Sequence, residues 1–201
     1  MTATVRPVVA VAGGPVLLDP SHALRDALTT LGATVAVVDL TADAALPDGA
    51  VALVLGDGAP VPFAEALDAN AAIRDAIAAH HRSGAPIVAE GAGVAVLASA
   101  LDGHPMADVL PAAARAGRGG VPGSVELVAA SDGPLHDAGD RRHGRPSAAV
   151  ALDTTAGTSP AWSVGGRPEG WAGPGLHASL VVVGWTVDRA RRLLAAAGVP
   201  S

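Results

Sequence analysis

The chain has 201 residues with a formal net charge of −6, and half of them are hydrophobic. It has no Cys, and all thirteen basic residues are Arg. These facts exclude disulfides, thiolate metal sites, thiol nucleophiles, lysine Schiff bases and a Walker A phosphate loop. They also argue against nucleic acid or an anionic membrane as partner.

With one Phe, three Trp and no Tyr, the core is expected to be built from Ala, Val and Leu. No run approaches twenty apolar residues, and the N-terminus lacks a basic region followed by an apolar block, so a soluble cytoplasmic protein is expected.

In chain order, Val8 to Ala12 reads as a short strand. Ser21 caps a helix running to about Leu31, with Gly32 as its stop, and Val35 to Leu40 reads as a second, buried strand. Two strands around a helix imply a parallel sheet. Val51 to Leu55 is a third strand, ending in Gly56-Asp57-Gly58. That turn reads either as a tight strand-to-helix connection or as a cradle for an anion, using backbone N–H groups. Phe63 to His81 is predicted helical, with Phe63, Leu67, Ala71, Ile73 and Ile77 buried. His80 and His81 are expected to be solvated residues or helix-end cations rather than metal ligands.

From Ala85 to Leu97 a short apolar run ends in Glu90-Gly91-Ala92-Gly93 and resumes with helical spacing at Val94, Leu97, Ala98 and Leu101. This is the pattern of a nucleophile elbow: strand, sharp turn, helix. The position that should carry the nucleophile is Gly91. Beyond Ala112 the composition turns rich in Gly, Pro, Ser and Arg, with strand-like stretches at Ser124 to Ala129 and Ala148 to Leu152. His136, Asp140 and His143 read as a solvated turn. Trp162 to Trp171 contains a turn, Leu176 to Gly184 is an apolar strand, and Val187 to Ala197 is a terminal helix. That helix should bury Leu193 and Leu194 and expose Arg189, Arg191 and Arg192.

The order of these motifs resembles the glutaminase domain of the cobyrinic acid a,c-diamide synthase and cobyric acid synthase family, class I glutamine amidotransferases. The resemblance runs along nearly the whole chain. It rests on the Val9-Ala-Val-Ala strand, Leu46-Pro-Asp-Gly, Leu55-Gly-Asp-Gly-Ala-Pro, Pro86-Ile-Val-Ala-Glu-Gly-Ala-Gly, His104-Pro-Met-Ala-Asp-Val-Leu-Pro and Arg167-Pro-Glu-Gly-Trp. It implies an α/β, flavodoxin-like fold: a central, mostly parallel sheet flanked by helices, with an antiparallel, loop-rich C-terminal half. One glutaminase-like domain is expected over 1–201, divided at 111/112, without the family's P-loop synthetase domain.

The resemblance also implies a Cys at the elbow and a His on the last strand. This sequence has Gly91 at the first position and Val182 at the second. His177 lies five residues before Val182 and reads as a strand-edge residue. Asp57 stands where the family has a glycine, and His143 is retained from a looser match. No catalytic residue is therefore assigned, and no cofactor or metal is expected. The ligand-binding candidates are Asp57, Gly58, Glu90, Gly91, Gly93, His143 and Glu169. Glu90 should point into the fold and fix the turn; as an isolated carboxylate in a dry pocket it would stay protonated.

Three functions follow from the resemblance. The first is a pseudo-glutaminase that partners a P-loop amidoligase or another enzyme of cobalamin biosynthesis. The second is a binding protein for an apolar or tetrapyrrole-like small molecule. The third is a new enzyme using Asp57, Glu90, His143 or Glu169 around the old cleft. Apolar edge strands make a homodimer a further expectation.

Overall fold

The computed structural model describes residues 6–19, 21–120 and 123–200. Its central sheet has six strands. In space they run Trp171–Gly173, Leu176–Ser179, Ile87–Glu90 (β4), Ala50–Leu55 (β3), Val8–Gly13 (β1) and Thr34–Asp39 (β2). All neighbours pair in parallel except Trp171–Gly173, which runs antiparallel at one edge. Strands β1, β3 and β4 are short Val/Ala/Leu runs buried on both faces, the composition a covered parallel sheet requires. β2 was expected to be buried but is an edge strand, with Val37 44% exposed.

One face of the sheet packs Ala10, Leu53, Ile87 and Ala89 against Leu67, Ile73 and Ile77. The other packs Val9, Val11, Val54 and Val88 against the helices His22–Thr30 and Val187–Ala196 through Leu24, Leu28, Ala190 and Leu193. The first helix begins where expected, because the Ser21 hydroxyl accepts from the Leu24 amide, a cap contributing about 1 kcal/mol. The expected single helix from Phe63 to His81 is instead two, Ala64–Ala69 and Ala71–Arg82. Asn70 separates them: its side-chain oxygen accepts from the Ile73 amide, and its amide nitrogen donates to the carbonyls of Leu40 and Asp43. This tertiary anchoring overrides the continuous periodicity and leaves Ala71 exposed and Phe63 half-buried.

Residues after the elbow also depart from expectation. The helix Val94–Leu97 is a single turn, and Ala98 is already extended. Leu101 belongs to the strand Ala100–Leu101, within a four-stranded sheet with His104–Pro105, Ala113–Ala116 and Val150–Leu152. A five-stranded sheet completes the C-terminal half: Arg167–Glu169, Trp162–Val164, Val125–Ala129, Arg141–Pro146 and Val181–Val182. The Trp162 to Trp171 turn is thus the tip of a hairpin, with Gly165 and Gly166 at φ +55 and +80.

The predicted strand Leu176 to Gly184 breaks at Leu180. Leu176–Ser179 stays in the central sheet beside β4, whereas Val181–Val182 crosses to pair with Arg145 and Pro146. Glu169 holds the break, accepting from the Ser179 hydroxyl and the Leu180 amide, each at 2.7 Å. The parallel strands end together, so the segments after Gly13, Leu55, Glu90 and Ser179 converge at one edge of the sheet.

Candidate functional site

At that edge β4 leads into a 3-10 turn, Gly91–Gly93, and then the helical turn Val94–Leu97. Gly91 has φ +64, the left-handed region that disfavours a side chain. Gly93 lies so close to the end of β3 that an added Cβ would stand 2.5 Å from the Gly56 carbonyl oxygen. The two turns are therefore locked together by small residues.

Asp57 occupies the space above Gly91. A Cβ on Gly91 would meet Asp57 Oδ1 at 2.5 Å and its Cγ at 2.7 Å. Oδ1 accepts hydrogen bonds from the Ala92 amide and the Ser147 hydroxyl, both at 2.9 Å. The amide following a nucleophile position is the donor that an elbow offers to an oxyanion. Here that donor is engaged by a carboxylate of the same chain. Beside this turn the Ala59 amide donates to the Val16 carbonyl, and Gly58 abuts Val16 and Leu17.

Glu90 points inward and is 4% exposed. Its Oε1 lies 2.7 Å from the Arg189 guanidinium and 3.4 Å from His177 Nε2, and its Oε2 accepts from the Val183 amide at 3.3 Å. Burial disfavours its charge, but Arg189 and His177 outweigh that and hold its carboxyl below the ordinary value. The expected protonated, isolated acid is thus an ionised, paired one.

Arg189, expected in solvent, is 3% exposed and also donates to the Val183 and Gly184 carbonyls, with the Trp185 ring 5.0 Å away. His177 lies in the sheet interior rather than at a strand edge, and its Nδ1 is 3.2 Å from His136 Nε2. His136, expected in a solvated turn, is fully buried and packs 4.3 Å from Trp162. Burial first, and then mutual repulsion, lower the His136 pKa to about 4; burial likewise lowers that of His177. Both rings are therefore neutral at pH 7. One ring donates and the other accepts across the His136 Nε2–His177 Nδ1 contact, and His177 Nε2 faces Glu90 Oε1 at 3.4 Å. Sequence inspection missed this row because its members, at 90, 136, 177 and 189, share no local spacing.

A cavity of about 170 Å³ opens beside the turn, lined chiefly by Val11, Leu24, Val54, Val88, Val182 and Trp185, with Asp19, Asp57 and Glu90. It lies well below the ~300–1,000 Å³ typical of sites that enclose drug-sized ligands, so the expected tetrapyrrole-like ligand does not fit inside it. Of the ligand-binding candidates, Asp57 and Glu90 line this cavity, together with Val182 at the position of the family's His; Gly58, Gly91, Gly93, His143 and Glu169 do not.

His143 is exposed on the strand Arg141–Pro146, opposite Glu126. Burial pushes the Glu169 pKa up to about 7, against the pull of its two donors. His80, read as a helix-end cation or solvated residue, is partly buried, and desolvation lowers its pKa. Among the described residues, no group of three His, Cys, Asp or Glu is placed to hold a metal, and no helix is long and apolar enough to cross a membrane.

The strand order and the elbow define the fold of class I glutamine amidotransferases. A solved glutamine amidotransferase superposes with a TM-score of 0.68 at 20% identity, over 96% of this chain and 99% of that one. The sequence narrows the class: the chain belongs with the hydrogenobyrinate and cobyrinate a,c-diamide synthases in the region that it shares with them. It is 37% identical over 183 residues to hydrogenobyrinate a,c-diamide synthase of Streptomyces coelicolor, covering 90% of this chain and 38% of that protein. It is 34% identical over 187 residues to the enzyme of that name from Thermobifida fusca, covering 89% and 40%. The chain thus spans about two fifths of the length of these curated relatives. No family model matches it.

Proposed function

We propose that the chain is a glutaminase-like domain without glutaminase activity, acting as the non-catalytic partner of an amidoligase with a P-loop ATP site. The carrying observation is Asp57. Its carboxylate fills the volume a side chain on Gly91 would need and takes the Ala92 amide that would steady an oxyanion. With glycine at 91 and valine at 182, the cleft has neither a nucleophile nor an imidazole base at the positions the resemblance assigns to them. Glu90 does not replace them, because its carboxylate is tied to Arg189, His177 and the Val183 amide behind the turn.

Glutamine hydrolysis by the purified chain should be indistinguishable from buffer, whereas the tagged chain should co-purify one-to-one with such an amidoligase from its native cell. Turnover abolished by Glu90→Gln would overturn the first half of this reading. Failure to associate with a co-expressed amidoligase would overturn the second half.

A second reading is favoured by the cavity. The lining includes Val182 and Trp185 and makes an apolar recess suited to a small molecule. Ligand binding in that recess is compatible with a partner role and would give the partner complex a sensor.

A further inference from the structure

We infer that the cavity beside Trp185 takes a small organic ammonium ion, an amine carrying a compact apolar body. This rests on the second reading above, that the recess holds a small molecule. The lining is mainly apolar, from Val11, Leu24, Val54 and Val88 on three central strands and one helix, together with Trp185. Such a surface recognises a hydrocarbon body by burying it, and the volume limits that body to a few carbon atoms.

Charge decides which head group accompanies it. The lining contains three carboxylates, Asp19, Asp57 and Glu90, and no cationic side chain. Glu90 is already neutralised by Arg189, whose guanidinium is further engaged by two backbone carbonyls. Asp19 and Asp57 are in no ion pair among the described residues.

Asp57 directs Oδ1 to the Ala92 amide and the Ser147 hydroxyl; Oδ2 has no hydrogen-bond partner among the described residues. Asp19 Oδ1 accepts only the Gly14 amide, at 3.2 Å. Two acceptors with spare lone pairs therefore border an apolar recess. An anion would face both carboxylates. The helix starting at Ser21 offsets them only weakly, since a helix N-terminus is equivalent to roughly half a charge and the Ser21 hydroxyl already occupies the Leu24 amide. A neutral apolar molecule would bury the same hydrocarbon and leave both carboxylates without a counter-charge. An ammonium group satisfies them through charge-assisted hydrogen bonds while its chain fills the recess.

The test titrates the full chain with isoamylamine and, separately, with isoamyl alcohol, its neutral counterpart, and follows the Trp185 indole and Gly56 amide by NMR at pH 7.5 and low salt. The amine should shift both signals and bind about tenfold more tightly than the alcohol, the advantage expected of one charge-assisted contact. Asp19→Asn, a change at an exposed side chain, should remove most of that advantage, and Val182→Phe should exclude both probes from a chain whose circular dichroism is unaltered.

Equal affinity for amine and alcohol would overturn the ammonium assignment and leave the recess as a plain apolar site. So would an amine affinity unchanged in both Asp19→Asn and Asp57→Asn. Binding of neither probe at millimolar concentration would sink the small-molecule reading itself, and this inference with it.

Discussion

The Asp57 carboxylate and the absent side chain of Gly91 compete for one volume: Oδ1 stands 2.5 Å from where a Cβ on residue 91 would lie. Placing any side chain there must move Asp57 off the Ala92 amide and hold residue 91 at a left-handed φ. Gly91→Ala should therefore lose about 1–2 kcal/mol from backbone strain and about 1–3 kcal/mol more if a buried donor is left unsatisfied. Urea denaturation measures the sum. Adding Asp57→Gly to Gly91→Ala should recover part of the steric loss, so the two changes should be non-additive. Simple additivity would mean that the two residues do not share the space.

The same geometry bears on restoring chemistry. Gly91→Cys alone should give a thiol with no glutamine turnover and slow alkylation by iodoacetamide, because it stands against a carboxylate that raises its pKa. In Asp57→Gly/Gly91→Cys the thiol should react faster. Equal rates in the two variants would place Asp57 elsewhere in solution.

The pair Glu90–Arg189 joins the elbow to the terminal helix through a buried contact of 2.7 Å. Removing one partner strands the other, so Arg189→Met and Glu90→Gln should each destabilise the fold, by about 3–5 kcal/mol where a buried charge is left alone. The double variant should cost less than the sum of the single changes. Thermal unfolding of the four proteins checks this, and a double variant as costly as the sum would remove the coupling.

Protonation of the two buried histidines should make the fold acid-sensitive. His136 titrates at about 4 and His177 below its ordinary value, whereas both return to about 6.5 when unfolded. The unfolded state then binds more protons, so stability is fully present above pH 6.5 and falls as pH drops toward 4. Denaturation at pH 7.5, 6 and 5 should show the loss, and His136→Phe should flatten the curve. An unchanged slope in that variant would assign the acid sensitivity to other groups.

How far the sequence reached depended on whether the determining contact was local. β1, β3, β4 and the elbow were legible because short Val/Ala runs and Gly-rich turns carry their own signal, and Ser21 announced its helix. Asn70 was not: a helical period runs through it, and its two carbonyl contacts come from residues about thirty positions earlier. The strand at 176–184 read as continuous because nothing nearby shows that Glu169 pins Ser179 and Leu180. In the site, position 91 was legible from the pattern around it. That Asp57 would reach over it, and that His177 and His136 would line up behind Glu90, depends on side chains 34 to 86 positions from Gly91.

Glu169 should oppose the histidines in its pH response. Burial raises its pKa to about 7 from the ordinary carboxylate value of 4.5. Its folded-state pKa is the higher one, so the stability it contributes is fully present below pH 4.5 and is lost as pH rises through 7. Glu169→Gln keeps an oxygen to accept from the Leu180 amide and turns its NH2 group to donate to Ser179 Oγ, without the buried charge. It should therefore gain stability relative to the native chain as pH rises from 5 to 8, while its Leu180 amide stays protected from hydrogen exchange. A gap between the two proteins that does not widen over that range would show that residue 169 does not titrate there, whereas loss of Leu180 protection would show that the strand break needs the carboxylate itself.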